Sequence, residues 1–165
     1  MGHPKKQKKK YETPKRPYDR QRLEREGNIL NEFGLRRKHE IWRAESTLRD
    51  FRHRARELQA KKDEQKEKQL FDRLNKMGIK CSRLDDILTV RLEDLLSRRL
   101  QTIIYKKGLA NTLKHARQLI VHGHVSVSER TMVWPSYIVM SGEENRISLS
   151  PQISAKMIQA ETKAK

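Results

Sequence analysis

The chain predicts an α+β fold that is predominantly α, a helical N-terminal subdomain followed by a small α–α–β module with a short antiparallel sheet. Three observations carry this expectation. Ile41, Ala44, Leu48, Phe51, Ala55 and Leu58 repeat at alternating steps of three and four, the spacing of a helix packed lengthwise on others. Gly34-Leu35, Gly78-Ile79 and Gly108-Leu109 each follow an apolar helical run, giving a left-handed terminator and then a hydrophobic clasp. Beyond Gly123 the residues His124 to Val127 alternate with period two and predict a half-buried strand.

Residues 1–20 read as a basic extended arm. Lys5, Lys6, Lys8, Lys9 and Lys10 crowd the first ten positions without an acid, and Pro4, Pro14 and Pro17 deny the segment a regular element. Such a segment cannot build a core, and Tyr11 and Tyr18 offer rings to bases or to the body. Residues 21–90 read as the helical subdomain. A helix from Arg20 to Phe33 precedes the regular one, whose stripe Trp42 broadens and whose outer face holds Arg43, Arg49, Arg52, His53, Arg54 and Arg56. Lys61 to Lys68 reads as a mixed-charge connector, a solvated helix face largely neutralised by Asp63, Glu64 and Glu67. Leu70, Phe71, Leu74 and Met77 predict another short helix. Asp85 and Asp86 are adjacent carboxylates without a nearby partner, so helix capping explains them better than acid–base chemistry.

Residues 91–149 read as the module. Glu93 and Asp94 suit the start of a helix that continues through Leu96, Leu100, Ile103 and Ile104 to Gly108. A second helix starts at Asn111 or Thr112, either a good N-cap, with Leu113, Ala116, Leu119 and Ile120 on its apolar side. After the strand at Val125–Val127, the residues Thr131 to Trp134, Tyr137 to Met140 and Arg146 to Leu149 read as further strands, with Pro135 at an edge or bend. Ser128-Glu129 is poor chemistry for a tight type I′ turn, so a longer loop with an open register is expected. Residues 150–165 read as a helical tail with Ile153, Met157 and Ile158 on one side.

Charge bounds the function. Thirty-eight basic residues against twenty-one acidic ones leave a formal net charge of +17 and a pI near 10.3, and nucleic acid is the expected counter-charge. No run approaches the ~18 apolar residues of a membrane span. Lys6 stands where an N-myristoylation signal needs Ser or Thr, and no apolar leader follows, so a cytoplasmic location is expected. Cys81, the single cysteine, excludes an internal disulfide and a multi-cysteine zinc site. His122 and His124 have no further ligand at useful spacing, so neither metal nor cofactor is expected.

The candidate binding residues centre on Arg98 to Val127. Arg98, Arg99, Lys106, Lys107, Lys114 and Arg117 are basic and no acid interrupts them. At 100° per residue Lys114, Gln118 and His122 share one helix face, with His115 beside them and Arg117 at the edge. Asn111 and Thr112 mark a helix start whose free N–H groups suit a phosphate, and His124 and Ser126 extend the polar side onto the strand. Arg49, Arg52, Arg54 and Arg56, with Lys5, Lys6, Lys8, Lys9, Lys10, Lys15 and Arg16 of the arm, complete the set.

Arg98 to Val127, most specifically Thr112 to Gln118, Leu119 and the Gly123–Val125 turn, resembles the RNA-binding module of the small-subunit ribosomal protein S-four family. Gly2-His3-Pro4-Lys5-Lys6, Tyr11-Glu12-Thr13-Pro14 and Pro135-Ser136-Tyr137 are similar to its archaeal-type branch. The resemblance implies a non-enzymatic constituent of the small subunit that binds the 5′ domain of its ribosomal RNA and nucleates assembly. It further implies neighbouring small-subunit ribosomal proteins and proximity to the path along which messenger RNA enters, with Lys15 and Arg16 as candidates there. Related modules are appended to pseudouridine synthases and a tyrosine-specific tRNA synthetase, but those need a catalytic domain for which this chain has no phosphate loop, nucleophile–base pair or room. No small-molecule substrate is expected. A free-standing heat-shock RNA-binding protein is the closer alternative, and the long helical N-terminal half argues against it.

Overall fold

The computed structural model describes residues 9–151. Seven helices run in order among them: α1 Arg20–Glu32, α2 Lys38–Ala60, α3 Glu64–Lys76, α4 Leu84–Thr89, α5 Leu92–Ser97, α6 Leu100–Lys106 and α7 Leu113–Val121. Strands β1 Val125–Val127, β2 Arg130–Thr131 and β3 Ile147–Leu149 form one antiparallel sheet in the order β2-β1-β3. A 3-10 turn at Glu144–Arg146 leads into β3. The α+β, mostly helical class expected from the sequence is the class observed.

The helix boundaries follow local chemistry. Asp19, Asp63 and Thr112 accept from backbone N–H groups three residues on, at 3.5, 3.2 and 3.1 Å, so Thr112 rather than Asn111 caps α7. Asp86 accepts from the N–H groups of Ser82 and Arg83 at 3.0 and 2.8 Å, and Asp94 from that of Arg91 at 2.9 Å. The backbone bonds to Asp86 hold its carboxyl below the ordinary value. Gly34, Gly78, Gly108 and Gly123 all have positive φ. In each case the next residue's N–H reaches back to the preceding helix, as in Leu35 N to Leu30 O at 2.9 Å and His124 N to Leu119 O at 3.0 Å, the Schellman closure.

Two cores result. The first gathers Phe33, the buried stripe of α2, Leu70 and Leu74 of α3, Ile79, Cys81, Ile87, Val90 and then Leu95 and Leu96 of α5. The second gathers Leu100, Ile103 and Ile104 of α6, Ala116, Leu119 and Ile120 of α7, Val125, Val127, Val139 and Ile147. The packing therefore divides at Arg98–Arg99, so α5 belongs with the helical half.

Several elements differ from expectation. The helix expected to run from Glu93 to Lys107 is broken. Arg99 is extended at ψ 142°, because its backbone bridges to Ile138 and Leu100 N–H bonds to Tyr137 O at 2.8 Å. That bridge is all the pairing Tyr137–Met140 makes, so no strand forms there, and β2 stops at Thr131. The Ser128-Glu129 turn is tight after all: Val127 pairs with Arg130, and Ser128 and Glu129 take φ of 49° and 70°, the signature of a type I′ turn. The solvated helix face expected over Lys61 to Lys68 is found from Glu64 onward, where α3 begins, and Lys61 to Asp63 link it to α2. The arm's described part lies on the body. Tyr11 sits 5.9 Å from the His39 ring and 6.0 Å from that of Trp42, Glu12 N–H donates to Ser46 Oγ at 3.1 Å, and Arg49 pairs with Glu12. Lys5, Lys6, Lys8 and all but the first two residues of the tail helix expected over 150–165 lie outside the described residues.

Candidate nucleic-acid interface

Helix α7 presents its two sides to different surroundings. Ala116, Leu119 and Ile120 are buried in the second core, whereas Lys114, Gln118 and His122 are exposed on the opposite face. None of these three side chains has an acidic partner among the described residues. The His122 and His124 rings stack at 6.2 Å with an interplanar angle of 8°, carrying the polar face from the helix end onto β1. Asn111, Lys106 and Thr112 are exposed nearby, His115 is half-buried, and Ser126 Oγ is engaged with Ser148 Oγ at 2.8 Å.

Four other basic residues of the stretch, Arg98, Arg99, Lys107 and Arg117, are held by groups from elsewhere in the chain. Arg99 is 6% exposed and its Nη2 lies 2.5 Å from Glu40 Oε2, while Arg117 Nη2 lies 3.1 Å from Glu40 Oε1. Burial by itself would raise the Glu40 carboxyl. The hydrogen bond from Arg117 and the charges of both arginines outweigh it and hold the pKa below the ordinary carboxylate value. Arg98 pairs with Glu144 and donates to Val139 O at 3.1 Å. Lys107 donates to the Glu144 carbonyl. Arg99 thus drops out of the solvent-facing set, and Arg98 and Arg117 keep only part of their charge available. The cause is a pair of acids, Glu40 and Glu144, that a local reading of residues 98–127 does not contain.

These contacts join the two cores. Gln101, 1% exposed, donates to Gly34 O and Leu113 O, both at 3.0 Å. Gly34 allows this approach, since a Cβ there would stand 2.7 Å from Leu113 Cβ. Gly78 likewise leaves room for the Arg98 guanidinium, which a Cβ would meet at 2.5 Å.

Above the Glu40 tie, a cleft of about 540 Å³ opens between the cores. Arg36, Arg37 and Arg43 enter from the α1–α2 side, Arg73 from α3, and Arg99 and Arg117 from the module, with His39 beside them. Glu40 is the sole acid of this lining and is already shared by two arginines, so the cleft has an excess of positive charge and planar guanidinium donors suited to anions. Arg36, Arg37, His39, Arg43 and Arg73 are absent from the sequence-derived set. Arg36-Arg37 directly after a helix-terminating Gly-Leu is a legible signal, but which way α2 turns the pair is not. A larger cavity of about 940 Å³ lies at the α2–α3 elbow, where Arg54, Lys61, Lys62 and Lys66 meet Glu57 and Asp63. Its mixed charge makes it the weaker anion site despite its size.

Of the remaining candidates, Arg52 is half-buried and donates to Val90 O at 2.7 Å, so it braces α2 against the α4–α5 junction. Arg54 and Arg56 are exposed, as are Lys9, Lys10, Lys15 and Arg16. The structure does not gather these with the α7 face into one patch; they spread along α2 and the arm. Among the described residues no helix is long and apolar enough to cross a membrane.

Known proteins resemble this chain in sequence. The S4 domain family matches residues 98–145, starting where the packing divides. The small ribosomal subunit protein uS4 of Sulfurisphaera tokodaii is 48% identical over 157 residues, covering 92% of this chain and 89% of its own. That of Saccharolobus solfataricus is 50% identical over 153 residues, covering 89% and 84%, and that of Hyperthermus butylicus 47% over 156, covering 92% and 89%. Identity near one half across both the helical half and the module shows that this chain belongs to the small ribosomal subunit protein uS4 family, in its archaeal type.

Proposed function

We propose that this chain is a structural, non-enzymatic component of the small ribosomal subunit that binds ribosomal RNA through the α7 face and the arginine cleft. The observation that carries the reading is the cleft itself: six arginines line it around one carboxylate, and four of them, Arg36, Arg37, Arg43 and Arg73, are not tied to that carboxylate. Guanidinium groups so placed are complementary to the phosphates of a folded RNA, and recognition would rest on backbone and shape, since side chains do not easily read the deep RNA major groove. The family relation supports the same reading, because the relatives are named as proteins of the small subunit.

The finer assignment is binding to the 5′ domain of small-subunit ribosomal RNA and nucleation of its assembly, among neighbouring ribosomal proteins in the cytoplasm. The exposed Lys15 and Arg16 would face the path along which messenger RNA enters. The free-standing heat-shock type of RNA-binding protein is disfavoured because Glu40, Gln101 and Gly34 tie the module to the helical half.

Binding to transcribed small-subunit ribosomal RNA over a fourfold range of salt tests the reading. Contact with six or more phosphates predicts a log–log slope of ~0.7–0.9 per contact and a loss of orders of magnitude. A nearly flat plot would refute the electrostatic mechanism. Chemical protection mapped along the RNA tests the 5′-domain assignment, which fails if protection falls elsewhere.

A further inference from the structure

Three of the six large apolar or aromatic side chains exposed among the described residues lie on one segment, the others being Tyr18, Tyr105 and Val121. Val133, Trp134 and Met140 are 43%, 62% and 39% exposed, and all three lie in the irregular strap between β2 and β3. The middle of that strap, at Pro135, Ser136 and Ile138, forms one wall of the arginine cleft.

The strap is held in place. Tyr137 N–H closes a turn onto Trp134 O at 3.1 Å, Val139 N–H bonds to Arg98 O at 3.0 Å and Ser141 N–H to Lys76 O at 2.9 Å. Tyr137 Oη donates to Glu143 at 2.8 Å. A fixed backbone therefore presents an indole that has no ring or hydrogen-bond partner among the described residues. Trp42, the other tryptophan, is half-buried and donates to Glu26 at 2.9 Å.

An apolar protein partner covering Trp134 would have to crowd unpaired arginines at the adjoining cleft, and desolvated charge is costly. A nucleotide strand satisfies both features, with phosphates for the guanidinium groups and a base face for the indole. We propose that Trp134 is a stacking platform for an unpaired base of the RNA strand whose phosphates lie in the arginine cleft. This rests on the RNA-binding reading above, and the test separates the two.

Full-length Trp134→Ala, Trp134→Phe and Arg36→Ala/Arg37→Ala chains are titrated with transcribed small-subunit ribosomal RNA at several salt concentrations. Loss of one stacked base predicts that Trp134→Ala binds about five- to a hundredfold more weakly, with the salt slope unchanged because no phosphate contact is removed. Trp134→Phe retains most of the affinity, and the exposed site leaves melting unaltered in both. The double arginine variant weakens binding and flattens the slope. RNA also quenches the emission lost in Trp134→Phe. If Trp134→Ala binds like the parent while the arginine variant weakens, stacking is refuted and the RNA reading stands, leaving a neighbouring protein as the partner of Trp134. If neither variant weakens, the cleft does not bind RNA and both fall.

Discussion

The basic residues of α7 point to different surroundings. Lys114, Gln118 and His122 face solvent without acidic partners, whereas Arg117, three positions after Lys114, turns toward Glu40 and shares it with the buried Arg99. On the outer side charge is screened and available, so its removal should leave folding alone. On the inner side the same sign of charge sits where water is scarce, and each member depends on the others. Basic residues in one short stretch thus divide into a solvent-facing set and a fastening, according to which acid the fold brings up to them.

Breaking the fastening should give the largest effect on stability. Glu40→Ala leaves Arg99 buried beside Arg117 with no counter-charge, and its Nε already lacks a hydrogen-bond partner. A loss of about 3–5 kcal/mol is expected, read by urea denaturation. Gly34→Ala comes next. Its φ of +57° and the 2.7 Å approach to Leu113 Cβ combine a left-handed penalty of roughly 1 kcal/mol with overpacking of ~1–3 kcal/mol. Gly108→Ala is the control, because its φ is +71° but nothing lies within 4 Å, so only the roughly 1 kcal/mol conformational part should appear.

Acid should loosen the same joint. The Glu40 pKa is lowered on folding, so its contribution is present above the unfolded carboxylate pKa of about 4.3 and is lost as pH falls through the lower folded value. Glu45 runs the other way. Burial and then the charge of Glu26 raise its pKa, so its contribution holds below the unfolded value and is lost as pH rises through the folded one. Removing Glu40 should therefore flatten the acid limb of the stability–pH curve, as measured by thermal melts between pH 3 and 6 (roughly the carboxylate range).

A smaller gain is expected at the hairpin. Ser128 and Glu129 are held left-handed by pairing on both sides, including Ser128 N–H to Arg146 O at 3.1 Å. Ser128→Asn with Glu129→Gly should stabilise by about 1 kcal/mol through residues that favour this turn, without changing RNA affinity.

The helices were legible because their signals are local. Gly34-Leu35, Gly78-Ile79 and Gly108-Leu109 end helices through bonds within six residues, and the α2 stripe is buried along its length. The misses arise from distant partners. The break at Arg98–Arg99 exists because Ile138 pairs with it, and the tight turn at Ser128-Glu129 is imposed by β3. For the site, the outer face of α7 followed from helical spacing alone. Arg99 lost its place because Glu40 lies 59 residues away. The cleft is not legible in any one stretch because its arginines come from the α1–α2 side, α3 and the module.

The most direct measurement compares a triple-alanine and a double-alanine chain that should both stay folded. Lys114→Ala/Gln118→Ala/His122→Ala removes the outer face of α7; alanine is the better helix former at the first two positions and His122 is an exposed C-cap, so its melting temperature should hold. Lys62→Ala/Lys66→Ala removes two exposed charges at the mixed-charge elbow, where Lys66 is paired with Asp63 at 2.6 Å. If the α7 face reads RNA, the triple variant loses clearly more affinity for small-subunit ribosomal RNA than the elbow variant does. Equal losses would contradict the account and mean that total charge, not its placement on the α–α–β module, drives binding.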